Sequence, residues 1–263
     1  MFRTTEISDP QFESDHLRYI TVKTENLKGR GDICVFVPPG ETIDNLPLVI
    51  LLHGVYGSSW VWTQKAGVHR TALQMIQNGE IRPMVIAMPS DGLWGDGSGY
   101  LAHNQKDFEK WIVEDVTNAV IENIPSVSTS SDLFLSGLSM GGFGALRLGI
   151  KHSGRFKAVS AHSAITDITQ MPLFVEEDLN NYQQEDSYEN SVLGVIENYR
   201  PDVLKIRFDC GTEDELISHN RQLHADLDRL KIIHTYQEFP GGHEWTYWQT
   251  HIRQSLSFFN SNT

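Results

Sequence analysis

The chain has 263 residues, 40% of them hydrophobic, which is enough for a single α/β domain spanning 1–263 with a substantial core. A net charge of −13 argues against nucleic acid or an anionic membrane as a partner. The N-terminus lacks the apolar stretch of a signal peptide, and no apolar run reaches the length of a membrane span. We therefore expect a soluble cytoplasmic protein, with homo-oligomer formation left open.

The chain has only two cysteines, so a disulfide framework is excluded. Cys34 and Cys210 both lie in apolar, strand-like runs. We expect buried free thiols in preference to a bridge or a reactive pair.

Eight runs are typical of β-strands. The first two, 16–24 and 32–38, are joined by a short glycine-containing turn, which predicts an antiparallel edge. Most of the later runs are almost continuously apolar, as in strands that helices cover on both faces. These runs are 46–54, 82–89, 131–137, 156–164 and 203–211, followed by a more polar strand at 234–242.

Helical spacing of apolar residues separates several of these strands. The pattern predicts helices at 108–124, 218–231 and 244–259, with Trp111 and Trp248 in their core-facing stripes. Alternating strands and helices favour a mostly parallel, doubly wound sheet of about eight strands with an antiparallel N-terminal edge. Residues 165–201 interrupt the alternation with an acidic stretch, predicted to be an insertion or small cap with short helices or else a mobile surface loop.

The stretch G-L-S-M-G places Ser139 between an apolar strand and a helix. This is the context of a nucleophile elbow, in which glycines flank a serine on a tight turn. The helix N-terminus also favours negative charge developing beside that serine. The alternative is a glycine-rich turn with an incidental serine.

A serine nucleophile requires a histidine base and an acid, expected in the order serine, acid, histidine. His243 follows two glycines after the last strand, and Asp214 follows the strand before it. Both therefore fall where open α/β sheets place their sites. The alternatives are a surface histidine, a helix-capping role for Asp214, and Glu213 or Asp209 as the acid.

The oxyanion of an acyl-transfer intermediate needs two hydrogen-bond donors. The backbone N–H of Met140, directly after Ser139, is the first candidate. The second is the N–H of Val55 in the loop after the third strand, with the N–H of Tyr56 as the alternative. His53 in the same loop is expected to brace the loop and not to act as a base.

Several aromatic residues near the predicted loops are candidates for a substrate pocket, although such residues often belong to a core. They are Tyr56, Trp60, Trp62, Trp94, Tyr100 and Trp245. We expect no metal and no cofactor, because no HExxH or paired-cysteine spacing occurs and because His219 and His224 do not share a helix face well.

Four motifs together resemble one family over roughly residues 30–260: LLHG…W, G-L-S-M-G-G, C-G-T-E-D-x-L and P-G-G-H-E-W. The chain is similar to an esterase family of α/β-hydrolases that includes esterase D and S-formylglutathione hydrolases, tributyrin, feruloyl and acetyl-xylan esterases, and antigen 85 mycolyltransferases. The resemblance implies an α/β-hydrolase fold. It also implies Ser139 as nucleophile, Asp214 as acid, His243 as base, and Val55 and Met140 as oxyanion donors.

These observations predict a serine carboxylesterase that hydrolyses small acyl or aryl esters through an acyl-enzyme. The alternatives within the same chemistry are an S-formylglutathione-type thioesterase, a carbohydrate acetyl or feruloyl esterase, and an acyltransferase. The stretch DGLWGDGSGY only partly matches the glycine-rich segment typical of S-formylglutathione hydrolases. A non-catalytic binding protein is disfavoured, because Ser139, Asp214 and His243 are all present.

Overall fold

A computed structural model describes residues 2–40, 43–201 and 204–263. Within these residues, nine strands form one sheet and two short strands form a separate ribbon. The nine strands are β1 Thr4–Ile7, β2 Leu17–Thr24, β3 Gly29–Phe36, β4 Leu48–Leu52, β5 Val85–Pro89, β8 Leu133–Leu138, β9 Ala158–His162, β10 Lys205–Gly211 and β11 His234–Phe239. The ribbon pairs β6 Ala102–His103 with β7 Lys106–Asp107.

The main sheet runs in the order β1-β2-β3-β5-β4-β8-β9-β10-β11. All pairings from β5 to β11 are parallel, and those from β1 to β5 are antiparallel. The prediction of a mostly parallel sheet with an antiparallel N-terminal edge is confirmed. The sheet has nine strands and not eight, because the short polar run TTEI pairs with β2 without an apolar pattern that would reveal it. The predicted strand 203–211 begins at Val203, which lies outside the described residues.

Helices cover both faces of the sheet. They are α1 Val61–Gln64, α2 Val68–Gln77, α3 Phe108–Lys110, α4 Thr117–Asn123, α5 Met140–Lys151, α6 Val192–Tyr199, α7 Ile217–Leu230 and α8 Trp245–Asn260, with the π-helix Trp111–Val116 joining α3 to α4. The apolar residues of α1, α2 and α8 pack on one face, and those of the α3–α4 segment, α5, α6 and α7 pack on the other. The predicted helix at 108–124 is present, but its middle turns are wider than α-helical.

The central strand β4 shows why these runs are apolar throughout. Leu48, Ile50 and Leu52 belong to the core on one face, whereas Val49 and Leu51 belong to the core on the other. Successive side chains of a strand point to opposite faces. Both faces of β4 are covered by helices, so each side chain must be apolar, and β4 is buried along its length.

Residues 165–201 form an ordered segment beside the sheet. The segment contains three 3₁₀ helices, Ile168–Leu173, Leu179–Asn181 and Ser187–Asn190, followed by α6. Val192, Val195 and Ile196 of α6 are buried in the main core. The predicted short helices are therefore present, and α6 fixes the end of the segment to the body of the protein.

Both cysteines are buried and unpaired, as expected from their apolar runs. Burial raises the pKa of the Cys34 thiol to about 12, although hydrogen bonds with Tyr19 and Thr63 oppose the rise. A thiol with such a pKa is neither a nucleophile nor a ready metal ligand at neutral pH. Separately, no helix in the described part of the chain is long and apolar enough to cross a membrane.

A buried ion cluster joins α3, α5 and the segment 165–201. Arg147 is 1% exposed and pairs with Glu109, at 2.8 Å, and with Glu189. Lys151 contacts both carboxylates, and His152 contacts Glu109. Burial alone would raise the pKa of Glu109, but His152, Arg147 and Lys151 outweigh it and lower the pKa to about 2.

From the low pKa of Glu109 we predict how the free energy of unfolding depends on pH in acid. The folded pKa of Glu109 lies below its ordinary value of 4.5, so its contribution to stability is present above that value and is lost as pH falls towards 2. We expect the free energy of unfolding, measured with urea, to decrease between about pH 4.5 and pH 2. The variant Glu109→Gln should be less stable at pH 7 and should lose less stability on acidification. If the free energy of unfolding of Glu109→Gln fell between about pH 4.5 and pH 2 as steeply as that of the exposed-site control Glu6→Gln, the assignment would be contradicted.

Candidate active site

Ser139 lies in a strained turn between β8 and α5. Its backbone has φ 53° and ψ −120°, a conformation that residues with a side chain rarely adopt. The glycines on either side are required by close packing. A Cβ on Gly137 would lie 2.2 Å from the Gly141 carbonyl oxygen, and one on Gly141 would lie 2.5 Å from the His53 carbonyl oxygen. The turn therefore needs both glycines of G-L-S-M-G to hold Ser139 at the end of the strand.

The fold brings Ser139, His243 and Asp214 into one hydrogen-bonded line. His243 Nε2 lies 2.9 Å from Ser139 Oγ, and His243 Nδ1 lies 3.1 and 3.0 Å from the two carboxylate oxygens of Asp214. Asp214 is 29 residues from His243 along the chain, and Ser139 is 104 residues from it. Each follows the C-terminal end of a strand, namely β8 for Ser139, β10 for Asp214 and β11 for His243.

The surroundings of Asp214 keep its carboxylate ionised. Burial on its own would raise the pKa of Asp214, but the hydrogen bond and charge of His243, the Leu216 N–H and the Ser163 hydroxyl together hold the pKa below its usual value. The Leu216 N–H donates to Asp214 Oδ1 at 2.8 Å. An ionised carboxylate can only accept, so Asp214 holds the proton of His243 on Nδ1 and leaves Nε2 to face Ser139.

Two aromatic side chains fix the ring of His243. The ring of Phe174, from the segment 165–201, stacks on the imidazole with centroids 4.8 Å apart. The indole of Trp248 meets the same imidazole edge-on at 5.0 Å, and its Nε1–H donates to Ser163 Oγ at 3.2 Å. Trp248 is buried, as predicted, but it also forms a wall of the site. Phe174 was not a sequence candidate, because the stretch 165–201, predicted as an insertion or small cap, carries no pattern that indicates which of its residues contacts His243.

The backbone near Ser139 offers two candidate oxyanion donors. Met140 is the first residue of α5, so its N–H has no acceptor within the helix. The Tyr56 N–H donates to the Asp96 carbonyl oxygen at 2.8 Å and is therefore engaged. The Val55 N–H has no hydrogen-bond partner within residues 2–40, 43–201 and 204–263. A Cβ on the neighbouring Gly54 would lie 3.2 Å from Ser139 Cβ, so this loop passes directly beside the serine.

His53 braces the same loop, as the sequence predicts. Its Nδ1 lies 2.6 Å from the Gly54 carbonyl oxygen, and its Nε2 accepts from the Asp91 N–H at 3.1 Å. Because the Gly54 carbonyl can only accept, the imidazole carries its proton on Nδ1. Both ring nitrogens are thereby used in fixing the loop.

The rim of the site ties the segment 165–201 to the neighbouring loops. The Tyr56 hydroxyl donates to the Phe174 carbonyl oxygen at 2.8 Å. Asp96 receives the Glu176 N–H on Oδ2 at 2.9 Å, and its own N–H donates to Glu177 Oε1 at 2.8 Å. The rim beside Phe174 therefore carries three carboxylates and no salt bridge to a cation among the described residues.

The aromatic pocket candidates fall into exposed, half-buried and core residues. Tyr56 and Trp60 are exposed, at 67% and 49%, and Tyr56 contacts the rim directly. Trp62 and Tyr100 correct the prediction, since both are core residues: Trp62 Nε1–H donates to the Leu52 carbonyl oxygen and the Tyr100 hydroxyl donates to the His53 carbonyl oxygen. Both side chains thus hold the backbone at the end of β4 and the start of the following loop from the core side.

The last two candidates pack against other aromatic side chains. Trp245 packs edge-on against Trp62 and Trp248, and Trp94 packs against His103 and Tyr182. Both are half-buried.

Asp209, a rival acid, belongs to a separate buried network. Its carboxylate lies 2.9 Å from His162 Nδ1, 2.6 Å from Arg207 Nη1 and 2.8 Å from the Tyr247 hydroxyl. His162 Nε2 lies 2.7 Å from Ser255 Oγ. Asp209 is still within β10, and its carboxylate is engaged by this network. The other rival, Glu213, is exposed.

Comparisons with known proteins agree with this arrangement. Residues 24–259 match the Esterase family model, described as putative esterase. An acetyl esterase from Caldicellulosiruptor saccharolyticus is 29% identical over 237 residues, which cover 82% of this chain and 84% of that protein. A ferulic acid esterase has a TM-score of 0.80 at 23% identity, covering 99% of both chains. S-formylglutathione hydrolase from Agrobacterium tumefaciens has a TM-score of 0.78 at 18% identity, also covering 99% of both chains.

The two solved structures share the α/β-hydrolase fold with this chain, which confirms the predicted fold class. The family model spans most of the sequence and includes the stretches around Ser139, Asp214 and His243. The chain therefore belongs to this esterase family of α/β-hydrolases and is a carboxylic ester hydrolase.

Proposed function

We propose that the protein hydrolyses neutral esters of short acyl chains through a Ser139–His243–Asp214 triad and an acyl-enzyme. The observation that carries the proposal is the continuous hydrogen-bonded line from Ser139 Oγ through both nitrogens of His243 to Asp214. A serine hydroxyl becomes nucleophilic only when a base takes its proton. In this line the base faces the hydroxyl and the acid faces the base.

The reaction proceeds in two acyl transfers. Ser139 Oγ attacks the ester carbonyl while His243 Nε2 takes its proton, and the buried Asp214 carboxylate stabilises the resulting imidazolium. His243 then protonates the leaving alcohol, which departs and leaves the acyl group on Ser139. Water, deprotonated by His243, attacks the acyl-enzyme, and collapse of that intermediate releases the acid and restores the Ser139 hydroxyl.

The N–H groups of Val55 and Met140 are assigned to the oxyanion. Each is a backbone donor beside Ser139 with no acceptor in the described part of the chain, whereas the Tyr56 N–H is already bonded to the Asp96 carbonyl oxygen. Such preorganised donors stabilise the charge that develops on the carbonyl oxygen in the transition state.

The rim favours a small and uncharged substrate. Phe174 lies against the imidazole and limits the space beside it. The rim beside Phe174 carries three carboxylates, those of Asp96, Glu176 and Glu177. A substrate that carries a carboxylate is therefore repelled at this rim. Glutathione thioesters carry net negative charge, and the rim therefore favours an ester over the S-formylglutathione alternative. The acetyl esterase relative is in keeping with a short acyl group.

A substrate panel tests this specificity. We expect p-nitrophenyl acetate to be hydrolysed with a higher kcat/KM than the octanoate, S-formylglutathione, methyl ferulate, or a p-nitrophenyl ester that carries a free carboxylate. Glu176→Gln should raise kcat/KM for the carboxylate ester about twofold to fivefold at low salt and leave the acetate unchanged. The control Glu6→Gln, exposed on the outermost strand, should change neither. A preference for S-formylglutathione of tenfold or more would favour the thioesterase alternative instead.

We also propose that residues 1–263 act as one domain, with the segment 165–201 as a cap that supplies Phe174. The contact of Phe174 with His243 and the burial of α6 support this division. The cytoplasmic location stays a prediction, and the formation of a homo-oligomer stays open.

A further inference from the structure

A second group of ionisable side chains lies away from Ser139, where α7 packs on the edge strand β11. His224 and Asp228 are one turn apart on α7, and His234 is the first residue of β11. One potential ligand atom from each residue lies within 4.8 Å of the other two. His224 Nδ1 is 2.7 Å from His234 Nε2, and His224 Nε2 is 3.7 Å from Asp228 Oδ2. We call these three residues the α7–β11 cluster.

The hydrogen bonding of His234 directs a lone pair into the cluster. Its Nδ1 lies 2.8 Å from the Ile232 carbonyl oxygen, which can only accept, so the proton of the neutral ring is on Nδ1. His234 Nε2 is therefore the unprotonated nitrogen, and it faces His224. Metal-binding histidines are commonly held in this way, with the second nitrogen donating to a carbonyl or carboxylate.

Aromatic neighbours hold both imidazoles in place. Tyr236 stacks on His224 with centroids 4.7 Å apart, and Phe208 lies nearly parallel to His234 at 5.7 Å. Both rings are thus oriented by packing as well as by hydrogen bonds. Asp228 is different: its side chain is 64% exposed and, among the described residues, contacts only His224, so it can move.

The donor set selects a class of ion. Two imidazoles and a carboxylate suit zinc and the related ions cobalt, nickel and copper, whereas magnesium and calcium prefer oxygen ligands alone. Tetrahedral coordination with bonds of about 2.0–2.1 Å places ligand atoms roughly 3.3 Å apart. His224 Nδ1 donates to His234 Nε2 in the metal-free chain, so on binding a metal the neutral ring would move that proton to Nε2 and free Nδ1 as a ligand. The two imidazole nitrogens, His224 Nδ1 and His234 Nε2, would separate by about 0.6 Å, and Asp228 would swing inwards. Solvent reaches the cluster, so water can fill the remaining position.

Among the described residues, no lysine or arginine forms a salt bridge with Asp228. The nearby Arg221 is paired with Glu238 at 2.7 Å, and Arg229 is paired with Asp226 at 3.1 Å. The chain as a whole carries a net charge of −13, which favours binding of a cation.

We propose that the α7–β11 cluster binds one divalent transition-metal ion of the zinc class, which clamps α7 to β11. The ion lies at the opposite end of β11 from His243, so it takes no part in ester hydrolysis. It joins the helix that follows Asp214 to the strand that leads to His243. Binding of the ion to the folded chain alone stabilises the fold.

Calorimetric titration of the metal-free full-length protein with zinc chloride tests the proposal. We expect one equivalent to bind, and at a free zinc concentration of about 100 times Kd we expect Tm to rise by about 5–10 °C. His234→Ala and His224→Ala should each weaken binding at least about tenfold. Asp228→Asn changes an exposed side chain that should not affect folding, and it should also weaken binding.

The control His219→Ala removes another histidine of α7 and should bind zinc as the wild type does. Zinc binding by Asp228→Asn and His234→Ala with wild-type affinity, or no binding by the wild type at millimolar zinc, would overturn the proposal. Ser139→Ala, which should lack esterase activity, should bind zinc normally. The outcome is therefore independent of the proposed reaction.

Discussion

Ser139→Ala is expected to lower kcat for p-nitrophenyl acetate by about 10⁴–10⁶-fold while leaving the fold intact. The hydroxyl lies 2.9 Å from His243 Nε2, and alanine has no hydroxyl with which to form the acyl-enzyme. Alanine keeps the Cβ, so the strained turn and the packing of Gly54 against it are preserved. Circular dichroism and Tm should match the wild type, and steady-state hydrolysis should be at or near the background rate.

Ser136→Ala is the matched control. Ser136 lies in β8, three residues before Ser139, and its buried hydroxyl has no hydrogen-bond partner among the described residues. Removing an unsatisfied buried hydroxyl costs no hydrogen bond, so this variant should keep both stability and activity. Ser139→Ala hydrolysing the acetate at a rate close to that of Ser136→Ala would disprove the nucleophile assignment.

Arg207→Met is expected to destabilise the protein by about 3–5 kcal/mol. Arg207 donates to Asp209 at 2.6 Å, and both side chains are almost fully buried. Burial alone would raise the pKa of Asp209, but His162, Arg207 and Tyr247 lower it to about 2, so the carboxylate is charged at neutral pH. Methionine fills much of the volume but leaves a buried anion without its guanidinium partner. Urea unfolding at pH 7 measures the loss.

Arg221→Met provides a comparison on the surface. Arg221 also pairs with a carboxylate, Glu238, at 2.7 Å, but the arginine side chain is 55% exposed. Exposed ion pairs contribute little, because water and salt screen them. The free energy of unfolding of Arg221→Met should equal that of the wild type within error. If both variants lost the same stability, burial would not be what makes the Arg207–Asp209 pair important.

The reactive residues could be predicted from sequence because local chemistry marks them. Ser139 requires glycines at 137 and 141 to make its turn, and His243 follows two glycines after a strand. Asp214 and Asp209 differ in a way that strand boundaries reveal. Asp209 lies within β10, whereas Asp214 lies three residues after its end, where a side chain can turn towards His243.

Contacts between distant segments could not be predicted in the same way. Phe174 of the segment 165–201 stacks on His243, and nothing in the sequence around Phe174 indicates that this residue makes the contact. Trp62 and Tyr100 have the composition of pocket residues, but their polar atoms bond to the backbone of the β4 loop from within the core.

The histidines show the same limit. The expectation of no metal rested on the absence of HExxH and paired-cysteine spacing and on the poor helical match of His219 and His224, all of which are patterns along the chain. In the structure, His234 of the neighbouring strand lies beside His224, and this contact cannot be recognised from the spacing of residues along one helix.

The most direct test of the proposed reaction is labelling with a fluorophosphonate, followed by mass spectrometry of the digested protein. Among the described residues two serine hydroxyls are bonded to histidine, Ser139 to His243 and the buried Ser255 to His162, so the adduct's position is informative. We expect one adduct per chain, on Ser139, with complete loss of p-nitrophenyl acetate hydrolysis. An adduct on another residue, or hydrolysis that continues at the wild-type rate once Ser139 is labelled, would contradict the account.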